Sequence, residues 1–375
     1  MIYLDHNASS PLRPEAFLAM QPWMTAQHGN AQSVHRAGRL ARHAVDEARA
    51  QIAALAGCRP DEVIFTSGAT EADNWALRGL RSGAPRYVGA AEHDAVLQAV
   101  PGLRLIRPDA NGVISPAALA QQLEDQPPGL VSLMWANNET GVCNDITALA
   151  AVVSEHGSVL HSDAAQALGR VPLDFAGSGC VALSLSAHKL GGPLGVGALI
   201  LREGTAIEPL LRGGQHEGRR HAGTLNVPGI VGFGAACAQL AATGAAEARR
   251  LGQMRDQFER ALLAQCPGAQ VFGQQALRLP NTSFFAVPGW HSEALLMALD
   301  RDGLALASGS ACHSGSDVPS HVLRAMEVPM QTALGAVRLS LGHTTQEGDV
   351  AALLAALLSI TGGGGAGRFA GVMGG

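Results

Sequence analysis

The sequence of 375 residues reads as an α/β chain built on a mainly parallel sheet, for three reasons. Short apolar, β-branched runs recur between Val63 and Leu201. Ala-, Leu- and Arg-rich stretches of helical length separate them, which is the rhythm of strands joined by crossover helices and covered on both faces. Small and polar residues cluster where the runs end, at the strand termini where such sheets place their ligands.

Val63-Ile64-Phe65 opens the series as a buried strand, Thr66 to Thr70 is a turn, and Glu71 to Leu80 is a helix. Further strands are expected at Arg86 to Ala90, Leu130 to Trp135, Ser158 to His161, Val181 to Leu185 and Val196 to Leu201. Near residue 250 the character changes. Arg249 to Cys266 has the pattern of one amphipathic helix, and short apolar segments follow at Asn281 to Val287, Leu304 to Ser308 and Ala336 to Leu341. A large α/β domain over 13–250, a smaller α+β domain over 1–12 and 251–360, and a flexible glycine-rich tail over 361–375 are therefore expected.

Hydrophobic residues make up 47% and charged residues 15%, which places the chain among globular proteins. A net charge of -5 without a basic block argues against nucleic acid as a ligand. The N-terminus lacks a basic region followed by an apolar run, and stretches such as Ala351 to Ile360 fall short of the roughly 20 residues a membrane span needs. A cytoplasmic chain without membrane partners is expected. The six cysteines form no CxxC pair and no Cys/His spacing of a metal site, so they read as free thiols, most of them buried.

Several short motifs carry chemistry. Lys189 follows an apolar strand and precedes Gly191-Gly192; a crowded lysine of lowered pKa suits Schiff-base formation, and a solvated loop lysine is the alternative. Asp163 ends a strand with Gln166 one turn on. It could hold a pyridinium nitrogen protonated, or simply be the N-cap of a helix over Ala164 to Leu168. Ser67-Gly68-Ala69-Thr70 precedes a helix and offers an anion site or ordinary caps. His93 ends a strand as a ring to stack or a proton carrier, or as a plain loop histidine. Cys312 lies in Ser308-Gly309-Ser310-Ala311-Cys312-His313-Ser314-Gly315-Ser316, a small, polar loop in which a thiol is accessible and ionisable, unless the loop is only a linker. Arg338 in an apolar strand needs an anion, either a bound carboxylate or an internal partner. Gly192 to Gly197 opens a strand rather than a helix and is not a dinucleotide fingerprint.

In this order and spacing, the motifs resemble those of the cysteine desulfurases, the NifS/IscS-like group of the class V, fold-type I pyridoxal-phosphate family. The resemblance runs from Tyr3-Leu4-Asp5-His6-Asn7-Ala8 to about Gly342 and includes Thr66-Ser67-Gly68-Ala69-Thr70-Glu71, Glu92-His93, Asn137-Asn138-Glu139-Thr140-Gly141, Asp163-Ala164-Ala165-Gln166, His188-Lys189, Gly223-Thr224 and Pro319-Ser320-His321. It implies a seven-stranded large domain, pyridoxal 5'-phosphate on Lys189, and removal of sulfur from L-cysteine to give L-alanine. His93 would stack on the ring and move protons, Asp163 and Gln166 would meet the ring nitrogen and hydroxyl, Thr70, Ser186 and His188 would hold the phosphate, and Ala69 would also bind the cofactor. Asn138 and Arg338 would hold the substrate carboxylate. Cys312 would become a persulfide and pass its sulfur to an acceptor protein, for iron–sulfur cluster assembly or thiolation. Thr224 would serve the phosphate of a partner subunit, so a homodimer is implied. A selenocysteine lyase, another β-lyase, an aminotransferase and a non-catalytic paralogue are the competing readings. The chain departs from the pattern at Gly213-Gly214-Gln215-His216-Glu217, at His221 and His343 in place of arginines, and in its glycine-rich tail.

Overall fold

The computed structural model describes residues 1–214, 217–308 and 318–362. In chain order its strands are β1 (Ile2–Tyr3), β2 (Val63–Thr66), β3 (Arg86–Gly89), β4 (Arg104–Ile106), β5 (Leu130–Ser132), β6 (Val159–Asp163), β7 (Ala182–Ser186), β8 (Gly197–Leu201), β9 (Gln270–Val271), β10 (Thr282–Ala286), β11 (Leu304–Ala305) and β12 (Ala336–Ser340). Seven of them form one sheet in the order β2-β8-β7-β6-β5-β3-β4, with β8 alone running against the rest. This is the mainly parallel α/β sheet expected from the sequence. The regular ladder of β5 stops at Ser132, earlier than expected. Leu133 and Trp135 still donate single hydrogen bonds to the β6 carbonyls of His161 and Asp163, at 3.1 and 2.9 Å.

Both faces of this sheet are covered, and the period of two along each strand decides which core a side chain enters. Val63, Phe65, Leu160, Leu183, Leu185, Ala198 and Ile200 join one apolar cluster, closed by the helices Arg36–Ala56 and Val227–Gln265. Ile64, Val88, Leu130, Ala182, Leu199 and Leu201 face the other way, against the helix Ala69–Gly79. On that second face the strand ends turn polar: Ser132, His161, Asp163, Ser184 and Ser186 continue the same alternation.

A second core lies around the antiparallel sheet β12-β10-β9. Here Phe285 and Val287 enter one cluster, whereas Phe284 and Ala286 enter another with Val322 and Leu323. The N-terminal segment joins the two regions. β1 pairs with β11, Asn7 takes the Ser340 hydroxyl at 2.9 Å, and Ser10 N donates to His188 O at 2.8 Å.

The helix expected from Arg249 begins at Val227, capped by Asn226 and continuous to Gln265, so it passes straight through the boundary expected at residue 250. Glycines in its first half obscure the helical pattern, but they are what the packing needs: a Cβ on Gly234 would meet Ala48 Cα at 2.6 Å. By length and composition this helix could cross a membrane, which differs from the expectation that no stretch is long enough. Half of its most apolar window is buried, and Ile230, Phe233, Ala236, Cys237 and Leu240 belong to the core beneath the sheet. Thr361 and Gly362, expected in the tail, complete the helix Glu347–Gly362; residues 363–375 lie outside those described.

One glycine connects the sheet to its cavity. A Cβ on Gly197 would lie 2.4 Å from Leu185 O and 2.6 Å from Gly68 Cα, so the β8 backbone must be bare for the Gly68 turn to close over it. We expect Gly197→Ala to lower stability by about 1–3 kcal/mol, read as a lower midpoint in urea unfolding; an unchanged midpoint would show that the turn relaxes freely.

Candidate active site

At the carboxyl ends of β5, β6 and β7 a cavity of about 360 Å³ opens between the sheet and the turn Ser67–Glu71. It gathers Ala69, Thr70, His93, Asn138, Asp163, Gln166, Ser186, His188 and Lys189, which sequence reasoning had selected from separate motifs. Thr224 is exposed and Arg338 lies deeper, so neither lines it. Cys312 lies outside the described residues.

Lys189 sits in the single turn Ala187–Lys189 that ends β7. Gly191, at φ +87°, then reverses the chain where any Cβ would touch Arg13 Cγ at 2.6 Å. The Lys189 ammonium is not solvated as a loop lysine would be. It donates to Asn7 O at 2.6 Å and Ala8 O at 3.1 Å. Burial, with help from Arg338 and Arg170, lowers its pKa to about 8. It is also the only lysine in the sequence.

Asp163 is buried, and burial raises its pKa while the Ala165 N–H, His93 and Lys189 act the other way. Its Oδ1 accepts the Ala165 N–H at 2.8 Å. No helix forms over residues 164–168, so Asp163 is not the helix cap the sequence allowed; one oxygen instead braces the turn that follows, while the residue lines the pocket. His93 repeats the pattern: Nδ1 accepts the Ala95 N–H at 3.1 Å and caps the short helix Asp94–Leu97, while the residue lines the cavity. Gln166 Nε2 donates one hydrogen to Asn7 O at 3.0 Å, and its Oε1 accepts from Arg170. An amide nitrogen has a second hydrogen to offer.

At the other end of the cavity the helix Ala69–Gly79 presents its first N–H groups beside Ser186 and His188. Desolvation and the neighbouring Lys189 lower the His188 pKa to about 4. Glu71 takes the Ser67 N–H at 2.6 Å and His221 Nε2 at 2.7 Å, so His221 braces this turn. Glu217 accepts from Arg49 and from the Phe65 N–H, tying the segment beyond residue 216 to β2.

Arg338 takes the internal-partner reading. Nη2 donates to Asp5 Oδ1 at 2.6 Å, and Nη1 to Asn138 O at 3.0 Å. The Asn138 Oδ1 is buried with no hydrogen-bond partner. Among the described cysteines, Cys143, Cys180, Cys237 and Cys266 are buried and Cys58 is half-buried, as expected of structural thiols. Burial pushes Cys58, Cys143 and Cys180 up to about 12, and none of the described cysteines lines the cavity.

Sequence reasoning missed Asp73, Met134, Ala136, Leu194 and Gly195 in the lining and gave no role to Asn7. Nothing in the sequence marks Asp73 apart from an ordinary polar helix position. The uniqueness of Lys189, by contrast, was there to be counted.

The profile of the family described as Aminotransferase class-V matches residues 2–353. The chain belongs to this family. A cysteine desulfurase of Cereibacter sphaeroides is 44% identical over 95% of this chain and 94% of its own. An IscS-like cysteine desulfurase of Mycobacterium tuberculosis is 42% identical over 95% of each chain. The solved structure of a NifS-like protein from Rickettsia africae superposes with a TM-score of 0.89 at 29% identity, covering 96% of this chain and 99% of that one.

The His221 contact holds Glu71 down to about 2, with the Ser67 backbone adding to it against the cost of burial. A carboxyl depressed in the fold stabilises above its unfolded pKa and loses that stabilisation as pH falls through the folded value. We expect Glu71→Gln to be less stable than wild type at pH 6, by on the order of 1 kcal/mol after solvent screening. The gap should close as pH falls from about 4.5 towards 2, followed by urea midpoints across that range.

Proposed function

We propose that the protein is a cysteine desulfurase that carries pyridoxal 5'-phosphate on Lys189 and passes the sulfur of L-cysteine through Cys312 to an acceptor protein. The observation that carries this reading is the convergence in one cavity of a lone, pKa-lowered lysine, a buried aspartate, and a helix N-terminus flanked by a hydroxyl and an imidazole. The residues fit the group. Asp163 is buried and makes no ion pair among the described residues, with Lys189 and His93 offsetting only part of the cost of burial, and a protonated ring nitrogen would provide a direct cation. Ala69 and Thr70 head a helix whose dipole favours an anion, with Ser186 and His188 beside it. His93 offers a flat ring, Gln166 a spare amide hydrogen, and Asn138 an orphaned acceptor.

Bound at Lys189, the cofactor supplies an electron sink for the substrate carbanion. Once the substrate amine takes its place on the cofactor, the freed Lys189 Nζ, whose pKa of about 8 leaves it partly neutral near physiological pH, would take and return the proton at the substrate Cα. Asp163 keeps the ring nitrogen protonated. Asn138 lines the cavity and would orient the substrate carboxylate, with Arg338 held behind it on the Asn138 carbonyl. The Cys312 thiolate takes the sulfur as the Cβ–S bond breaks, leaving a Cys312 persulfide. The carbon skeleton gains a proton at Cβ and leaves as L-alanine. None of the described thiols lines the cavity, and burial leaves Cys58, Cys143 and Cys180 too weakly acidic for this step.

A homodimer accords with the exposure of Thr224, which is free to reach a second copy's phosphate, and with exposed Phe17, Leu18 and Met24 on the helix Pro14–Thr25. The acceptor belongs to iron–sulfur assembly or thiolation.

The test has two parts. Borohydride reduction of the yellow protein should fix one pyridoxyl group on the peptide containing Lys189, the only lysine available; no adduct would remove the cofactor. L-cysteine with a thiol reductant should then yield alanine and sulfide, and Cys312→Ala should keep the visible band but lose at least about 10²-fold in turnover. Equal turnover in both proteins would take Cys312 out of the chemistry.

A further inference from the structure

Three carboxyls are buried together behind the proposed ring-nitrogen site: Asp73 on the helix Ala69–Gly79, Glu92 after β3, and Asp163 at the end of β6. Their supports differ. Asp163 receives the Ala165 N–H at 2.8 Å and feels Lys189 and His93. Glu92 receives the Met134 N–H at 2.5 Å. Asp73 lines the cavity with only 1% of its surface exposed, yet neither of its oxygens has a hydrogen-bond partner among the described residues. The Ser184 hydroxyl lies close enough to favour its ionised form slightly, but makes no hydrogen bond of proper geometry to it. The nearest group able to carry positive charge is His161, whose Nε2 stands 3.7 Å from Asp73 Oδ1. That imidazole is already engaged by hydroxyls on both sides, Ser132 Oγ on Nδ1 and Ser184 Oγ on Nε2, each at 2.9 Å, and its own burial holds it neutral. The other ionisable groups that bear on Asp73 are Asp163 and Glu92, both of like sign.

We propose that Asp73 is a positioning residue for the ring-nitrogen aspartate: it stands beside Asp163 as a neutral carboxylic acid, so that Asp163 is the anion a single pyridinium charge can match. An unpartnered carboxylate is the costliest of the three to keep ionised, and the proton settles where no N–H or cation stabilises the charge. His161 and the two serines fix the wall behind it without adding charge. The role of Asp163 rests on the desulfurase reading; the proton on Asp73 does not.

The apoprotein decides the protonation. A carboxyl neutral in the fold and ionised in the unfolded chain stabilises at low pH and loses that stabilisation as pH rises. Asp73→Asn, a neutral isostere, should therefore gain on wild type between pH 5 and pH 8, by at least about tenfold in the folding equilibrium constant. A flat or opposite trend would overturn the proposal. Should Asp73→Asn not fold, infrared spectra of ¹³C-aspartate-labelled Asp163→Asn protein at pH 8 should still show a protonated carboxyl band, and its absence would be decisive against. In the loaded protein, Asp73→Asn should keep the cofactor Kd within about threefold, because no charge is removed; a tenfold weakening would mark Asp73 as a second anion. Failure of wild type to take up the cofactor would sink the reading of the preceding subsection, and the apoprotein trend would still decide the state of Asp73.

Discussion

The placement of the reactive amine depends on one buried asparagine. The Asn7 N–H donates to Ser340 Oγ, and its Nδ2 donates to Asn138 O and Thr282 Oγ1. Its Oδ1 accepts from Arg170 and Asn281, and its carbonyl accepts from Lys189 and Gln166. One side chain and its backbone thus tie β10 and β12 to the loop after β5, the turn after β6 and the end of β7. Each group left unsatisfied in such a place costs about 1–3 kcal/mol, so the network holds as a unit.

The same burial sets the electrostatics of the cavity. Lys189 is pushed down by lost solvation and by Arg338 and Arg170, while Asp163 is pushed up by lost solvation and only partly restored by the cations around it. An amine that gives up its proton readily faces a carboxyl with too few positive neighbours. A cationic heteroaromatic ring that reacts with amines answers both needs at once. Arg338 and Asp5 form a further pair whose geometry places a guanidinium next to Asn138 without exposing it to water.

Much of this was legible before any coordinates. The strands announce themselves because they are buried on both faces and end in chemistry, and Lys189, Asp163, His93, Asn138 and the Ser67–Thr70 turn stand at those ends. The start of the helix Val227–Gln265 was not legible, since glycine lowers intrinsic helix propensity while here it permits contact with Ala48. Asp73 escaped for a different reason: its helical position looks like any solvated one until the sheet is laid beneath it. That Asp163 both accepts a backbone N–H and lines the cavity was hidden by treating the two as rivals, and His93 was weighed only against a plain loop histidine, not a cap. Arg338 was rightly read as needing an anion, but only the fold shows that Asp5, 333 residues away, provides it.

The tie between the ends of the chain also fixes an order of assembly. β1 pairs with β11, and Asn7 meets Ser340 across 333 positions. The seven-stranded sheet is complete by Leu201, so it is able to condense while later residues are still being made. Asn7 and Ala8, whose carbonyls seat the Lys189 amine, find their remaining partners only once Thr282 and Ser340 have emerged. Residues near Asn7 are thus among the last to settle, and a nascent chain carries its lysine from residue 189 until Ser340 has emerged without the full clamp around it.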